Sequence, residues 1–258
     1  MKFLNRRSIY KTVLQPVSRM EPGSLILVDY TLTVKETGSV IETTIEEEAK
    51  RASIYKEGEK YSPKLIYLGG KWVLESWEEE LLKSEVGVER TVEIPPDKAY
   101  GFRDPNKVKT YAARRFSRPQ DLTPGALVEV DNKIGIVRNI SGGRVQVDFN
   151  PPLAGKTLIY KFKIVKVLED DSEKIKYLVN RRLPEVSVEE ISVEIEGETA
   201  TISLPNRVLL SEDIQKIKKA VFEDVVSIIK NVKTVRFVDV FTRTGESSEK
   251  VVEEKPST

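Results

Sequence analysis

Residues 94–101 read Ile94-Pro-Pro-Asp-Lys-Ala-Tyr-Gly101, and the fold is decided by what flanks this stretch. Taken alone it is a strand end and a loop. Arg90-Thr-Val-Glu-Ile94 alternates like a strand, and Pro95-Pro96 ends it because proline offers no N–H to a ladder. Moving upstream, Val73, Leu74, Trp77, Leu81 and Leu82 recur at spacings of three and four and stop at Gly87, which predicts a short amphipathic helix. Before it, Leu65–Leu68 predicts a short strand closed by Gly69-Gly70. Leu25–Val34, rich in β-branched and aromatic residues and bounded by Pro22-Gly23, predicts a long one. The segment from Glu42 to Lys60 reads as a charged stretch, with an acidic run at Glu46–Glu48 and a break at Gly58.

Downstream the character changes. From Phe102 to Arg118 stand Arg103, Lys107, Lys109, Arg114, Arg115 and Arg118 against the single acid Asp104. Three short strand signals follow, Leu127–Val130, Ile134–Val137 and Arg144–Phe149, separated by Asp131-Asn132 and Ser141-Gly142-Gly143, as in a small β unit. Pro151-Pro152 closes it, and Thr157–Leu168 reads as a long strand. After the polar junction Asp170-Asp171 comes a helix over Ser172–Leu183. A hairpin turns at Glu196-Gly197, and a helix capped by Ser211 carries the apolar stripe Ile214, Ile217, Val221, Val225, Ile228 and Ile229. Val235–Phe241 is a last strand. This α-β-β-α-β unit is large enough to bury its own core, and the polar residues 243–258 read as a disordered tail.

Composition excludes whole classes of chemistry. The 258 residues contain no cysteine and no histidine, so thiol nucleophiles, disulfides, imidazole acid–base catalysis and His- or Cys-ligated metals are absent from this sequence. Lys+Arg is 42 and Asp+Glu is 41, so the chain as a whole exerts no long-range field of one sign. Apolar runs such as Leu25–Val28 and Val208–Leu210 are far short of the ~20 residues of a membrane span, and a cytoplasmic protein without membrane attachment is expected. Abundant charge of both signs with few methionines is also the composition of a thermophile's protein. Residues 1–20 form a basic extension with Lys2, Arg6, Arg7, Lys11 and Arg19. It is either an arm for an anionic partner or an extension before a true start at Met20.

The upstream and downstream segments together give the central octapeptide its meaning. Val28-Asp-Tyr-Thr31, Ile41-Glu-Thr-Thr44, Leu68-Gly-Gly-Lys-Trp-Val-Leu-Glu-Ser-Trp77, Gly87 and Ile94–Gly101 resemble the FKBP-type peptidyl-prolyl isomerase family in order and spacing. Pro151-Pro-Leu-Ala-Gly-Lys-Thr-Leu-Ile-Tyr-Lys-Phe162 resembles that family's last strand in its SlyD-like form. The resemblance implies an α+β fold: a half-barrel antiparallel sheet over a short helix, formed by 21–103 and 151–170. It also implies that 104–150 is an inserted small β domain, the "insert-in-flap" chaperone module, and that 171–242 resembles the extra C-terminal domain of long archaeal members.

The same resemblance implies site residues. Tyr30, Glu42, Trp77 and Tyr100 take catalytic positions, and Ile41, Val73, Leu74, Ala99 and Tyr160 line the substrate. Ile41-Glu42 departs from the family's Phe-Asp, Tyr160 from a Phe wall and Ser76 from a Gly, while Trp72 and Lys64 replace other rim residues. An apolar cage suits the chemistry. Rotation about a peptide bond costs ~18–20 kcal/mol, and the twisted amide is less polar than either planar form. A dry cavity that prefers the twisted form therefore needs no nucleophile, metal or cofactor, and none is expected. Each residue has a plainer reading: Trp77 as core, Tyr100 satisfying a loop carbonyl, Glu42 as a solvated acid.

In the insert, Val128, Val130, Ile134, Ile136 and Val145 are expected to present an apolar surface to unfolded or nascent proline-containing chains, the plain alternative being that they form the insert's own core. Two further functions compete with isomerase activity. The basic residues 103–118 fit ribosome or RNA contact, and the altered Ile41-Glu42 fits a holdase without catalysis. The stripe Ile217, Val221, Val225 and Ile228 is either the C-terminal domain's core or a homodimer surface.

Overall fold

The structure is a computed structural model that describes residues 20–241, so the basic extension before Met20 and the tail 243–258 lie outside the described residues. The chain divides into two compact units, with the boundary in the chain between Leu168 and Glu169.

The spine of the first unit is β1 (Leu25–Val34), whose ten residues are almost all buried. Its antiparallel partner along one edge is β9 (Leu158–Leu168) over the full length, from Leu25 opposite Leu168 to Val34 opposite Leu158. The other edge is shared by two short strands. β3 (Lys64–Tyr67) covers Leu25–Val28, and β2 (Val40–Thr43) covers Thr31–Thr33. β4 (Glu89–Ile94) adds to the far side of β9. Helix α1 (Glu46–Arg51) lies inside the segment read as merely charged. Its three acids fill the first turn and Lys50 and Arg51 the last, the arrangement that the helix dipole favours. Helix α2 (Glu75–Leu82) lays Trp77 and Leu81 on the sheet. It starts two residues later than the apolar spacing predicts, because Lys71 is left-handed (φ 56°) and Leu74 is extended.

The insert has four strands where three are expected, in the order β5-β8-β7-β6, all antiparallel: β5 (Val108–Ala112), β6 (Leu127–Val130), β7 (Lys133–Ser141) and β8 (Arg144–Asp148). β5, with one lysine of its own (Lys109), is hidden in the sequence by the basic residues that flank it. β7 runs past Val137 because a bulge at Arg138 breaks the alternation without ending the strand. The inner face packs Phe116, Val130, Val137, Val145 and Val147. Val130 and Val145 are therefore core, correcting their assignment to an exposed surface, and Val128 is partly buried against the same cluster.

The second unit contains α3 (Asp171–Arg182), β10 (Ser192–Glu196), β11 (Thr199–Ser203), α4 (Asn206–Leu209), α5 (Ile214–Ile228) and β12 (Thr234–Val238). β10 and β11 form the hairpin, and β12 pairs parallel with β11 after the helical crossover. Ser211 does not cap a helix. α4 intervenes, α5 begins after Asp213, and the Ser211 carbonyl accepts from the Ile214 N–H. Val221 and Val225 are fully buried within this single chain and belong to its core, while Ile217 and Ile228 are half-buried.

One position in the insert tolerates no side chain. A Cβ on Gly135, which lies opposite Val128 on the inner face, would stand 2.5 Å from Val147 Cγ1 and 2.9 Å from the Phe149 ring. Gly135→Ala is expected to destabilise the insert by about 1–3 kcal/mol. Amide hydrogen exchange would show this as loss of protection over β6–β8 with α5 unchanged, and equal protection in both proteins would contradict it.

Candidate functional site

Tyr30 sits where the edge of β1 passes from β3 to β2, so its backbone lacks a regular strand partner there. Thr43 and Thr44 fill the gap. The Tyr30 N–H donates to Thr44 Oγ1 (2.9 Å), its carbonyl accepts from the Thr44 N–H (3.0 Å) and from Thr43 Oγ1 (3.1 Å), and Thr44 Oγ1 donates to Asp29 Oδ1 (2.9 Å). The side chain is buried and directed by register to the α2 side of the sheet. Its hydroxyl donates to the Glu42 carboxylate, and Lys64 Nζ donates to both groups at 2.9 Å. Glu42 lies opposite Leu32, on the same face as Tyr30, while Ile41 falls at a bulge.

The rings behind this hydroxyl form one cluster. Trp77 of α2 lies 4.9 Å from Tyr30, stacks on Tyr160 at 4.1 Å and meets the edge of Phe162 at 6.1 Å. Tyr30 and Tyr160 are 6.2 Å apart. Tyr160 and Phe162 share a face of β9 and stand opposite Leu32 and Tyr30. Trp77 is buried and its Nε1 has no hydrogen-bond partner. Before α2, the Leu74 carbonyl accepts the first helical N–H groups, whereas the Val73 N–H and C=O and the Leu74 N–H make no hydrogen bond among the described residues. The loop 95–101 is fastened on three sides: the Gly101 N–H donates to the Pro96 carbonyl (2.7 Å), Ser76 Oγ to the Lys98 carbonyl (2.7 Å), and the Gly155 N–H to the Gly101 carbonyl (2.8 Å). It presents Ala99 against the cluster and Tyr100 to solvent, its hydroxyl unpaired among the described residues.

The electrostatics follow from burial. Burial first, then the hydrogen bond and charge of Glu42, push the Tyr30 phenol well above its ordinary range. Burial, then the neighbouring Tyr100 and Glu42 oxygens, push the Tyr160 phenol up as well. Burial opposes ionisation of Glu42, but the hydrogen bonds from Tyr30 and Lys64 outweigh it and hold the carboxyl below the usual range.

Comparison with known proteins identifies the family. The model of the FKBP-type peptidyl-prolyl cis-trans isomerase family matches residues 17–117, that of the FKBP26 IF domain matches 118–153, and that described as FKBP26_C-terminal matches 171–242. The short-type peptidyl-prolyl cis-trans isomerase of Methanocaldococcus jannaschii is 35% identical over 159 residues, 61% of this chain and 99% of that protein. The chain belongs to the FKBP-type peptidyl-prolyl cis-trans isomerase family. The FKBP-type 16 kDa peptidyl-prolyl cis-trans isomerase of Escherichia coli is 27% identical over 153 residues (57% of this chain, 93% of that one). The SlyD of Aeromonas hydrophila is 30% identical over 162 residues (61% and 68%). The protein is a peptidyl-prolyl cis-trans isomerase with an FKBP-type α+β fold and an extra C-terminal domain. None of its helices among the described residues is long and apolar enough to cross a membrane.

For this FKBP-type chain, the structure brings Tyr30, Glu42, Trp77 and Tyr160 together, with Val73, Leu74 and Ala99 packed against the same cluster. Ile41 is different. It is 44% exposed at the bulge and outside the cluster, so it stands at the rim and is not a packed wall. Lys64 was read only as a rim replacement, yet it holds both Tyr30 and Glu42; its place opposite Val28, on the strand beside β2, is a tertiary fact without a local signal. Phe162 was also missed as a pocket ring, although its i+2 spacing from Tyr160 was a usable signal.

On the insert, Ile134 is 70% exposed and Ile136 half-buried, while Leu127, 72% exposed and opposite Ile136, was overlooked. The basic segment is partly spent internally: Arg103 pairs with Asp148 and Arg115 with Asp131.

The directions of these shifts give a pH expectation. Glu42 loses its bond from Tyr30 only as pH falls through a carboxyl value below the ordinary ~4.3, and Tyr30 ionises only above the ordinary ~10. The pair therefore keeps one protonation arrangement from about pH 5 to about pH 9. Turnover of a short X–Pro peptide should follow a profile unchanged in shape when Glu42 is replaced by Gln across this range. A bell centred near neutrality that Glu42→Gln abolishes would contradict the assignment.

Proposed function

We propose that this isomerase acts on proline-containing segments of unfolded or nascent polypeptides. In this reading the prolyl ring rests on Trp77, between Tyr30 and Tyr160, while the substrate backbone pairs with the open N–H and C=O groups at Val73 and Leu74. The Tyr100 hydroxyl donates to a substrate carbonyl. The observation that carries the proposal is the buried aromatic cluster with unpaired backbone groups and an unpaired phenol at its mouth.

The physical rationale is differential solvation. In the half-rotated amide the nitrogen pyramidalises and the carbonyl loses partial negative charge, so an apolar floor of rings favours that state over the planar ones. A rate gain of about 10⁵-fold requires only about 7 kcal/mol of this preference. Glu42 acts here without transferring a proton. It satisfies the Tyr30 hydroxyl that burial would otherwise leave orphaned, and so fixes the ring that forms one side of the cavity.

Affinity is the weak point of such a small cavity. Burying ~100 Å² of apolar surface is worth ~2.5 kcal/mol, which supports a Kd of only about 10 mM. The solvent face of the insert offers a second hold. Leu127, Ile134 and Ile136 lie on one side of β6 and β7 and together make an apolar strip for an unfolded chain. Tethering by the strip raises the local concentration of prolines at the cavity.

Two measurements separate these parts. Tyr100→Phe should lower short-peptide kcat/KM about five- to tenfold, the loss of one hydrogen bond of roughly 1–1.4 kcal/mol. Replacing Leu127, Ile134 and Ile136 together by Ser should leave short-peptide turnover intact and remove most of the acceleration of proline-limited protein refolding. Parallel loss of both activities in the triple variant would defeat the division of labour.

A further inference from the structure

The two chain segments that join the insert to the isomerase sheet are clasped around one buried carboxylate. Asp148, at the end of β8, has a side chain only 1% exposed. Its Oδ2 accepts from Arg103, which precedes the insert and follows the loop after β4, and from Arg138 Nε (3.1 Å). Its Oδ1 accepts from the N–H (3.0 Å) and Nδ2 (2.7 Å) of Asn150. Arg138 is the bulge residue of β7, without a partner in the register; two residues on from Ile136, which stands opposite Asp148, it meets the carboxylate. Asn150 in turn pairs with the outgoing segment as a backbone would: its Oδ1 accepts from the Asp104 N–H and its Nδ2 donates to the Asp104 carbonyl, both at 2.9 Å. Phe149 N–H to the Lys107 carbonyl (3.0 Å) continues the zip.

A buried carboxylate with two arginines and an amide is a costly device unless its geometry is used, because each charge removed from water requires good partners. None of these residues belongs to the aromatic cluster, and Asp148 stands opposite Ile136, so the clasp lies at one end of the insert's apolar strip without supplying apolar surface to it. What it joins are the outgoing segment, the returning segment and the bulge of β7, the three places that set how the insert is held.

We infer that Asp148 is a positioning residue for isomerisation of protein chains: with Arg103, Arg138 and Asn150 it fixes the orientation in which the insert presents a held chain to the prolyl cavity. This rests on the reading of the insert as the holding module. An insert that swings freely would still hold chains, but the effective concentration of their prolines at the cavity would fall.

The test uses the full chain. Asp148→Asn keeps the shape and removes the charge, and Arg138→Gln, which leaves Arg103 and Asn150 in place, serves as the milder second variant. Because the protein has no cysteine, Glu57→Cys and Ser117→Cys, one exposed site on each side of the clasp, can be spin-labelled cleanly. The expected result is a broadened distance distribution between the labels and about a tenfold rise in KM for proline-limited protein refolding, with kcat and short-peptide turnover unchanged. An unchanged distribution and KM in both variants overturns the inference. So does a uniform fall of peptide and protein activities, which marks a merely structural role. If the Leu127/Ile134/Ile136 triple variant itself leaves refolding unaffected, the holding reading has failed; if it impairs refolding while the clasp variants do not, only the positioning role has.

Discussion

Everything in the isomerase sheet is organised around Tyr30 being buried at a place where β1 changes partners. A phenol taken out of water needs an acceptor, and its backbone needs substitutes for the ladder that breaks there. Glu42 supplies the acceptor and Thr43 and Thr44 the substitutes, all from β2 and the residue that follows it. Because those groups come from consecutive residues, placing the short strand β2 also places the carboxylate and the gap-filling hydroxyls. The same constraint holds the Tyr30 ring against Trp77, whose position depends on α2 starting late, after a left-handed Lys71. That late start is also what leaves Val73 and Leu74 with unused backbone groups at the edge of the rings.

In the proposed reading, the cavity and the insert divide the work of binding in a way that their chemistries explain. A surface of aromatic rings distinguishes a twisted amide from a planar one but is too small to hold a chain. A strip of aliphatic side chains holds a chain but has no preference about its amides. Joining them leaves the geometry of the join to be controlled, and polar groups do that better than apolar ones because hydrogen bonds have direction. The buried Asp148, with donors from two strands and a returning loop, is a directional joint of this kind.

Much of the aromatic cluster was legible in the sequence because its residues sit in short, ordered motifs: Tyr30 in a long apolar strand, Trp77 on a helical stripe, Ala99 after Pro-Pro. The insert was less legible. Val128, Val130, Ile134, Ile136 and Val145 are alike in composition, and only pairing register separates the buried Val130 and Val145 from the exposed Ile134. Leu127 alternates with Val128 and so belonged to the outer face, a signal present but unused. Lys64 and Asp148 had no local signal at all, since a charged residue in a strand reads as solvated until its partners are known.

The sequence by itself determined the chemistry available and the elements that carry it. It excludes histidine and cysteine chemistry, and its strands and stripe helix of defined period carry the aromatic residues Tyr30, Trp77, Tyr160 and Phe162. Tertiary structure alone decided which charges are buried and paired, where α2 begins, and which aliphatic side chains face water. Those outcomes depend on contacts between residues far apart in the chain, and a one-residue change of register would reverse every inward and outward choice along a strand.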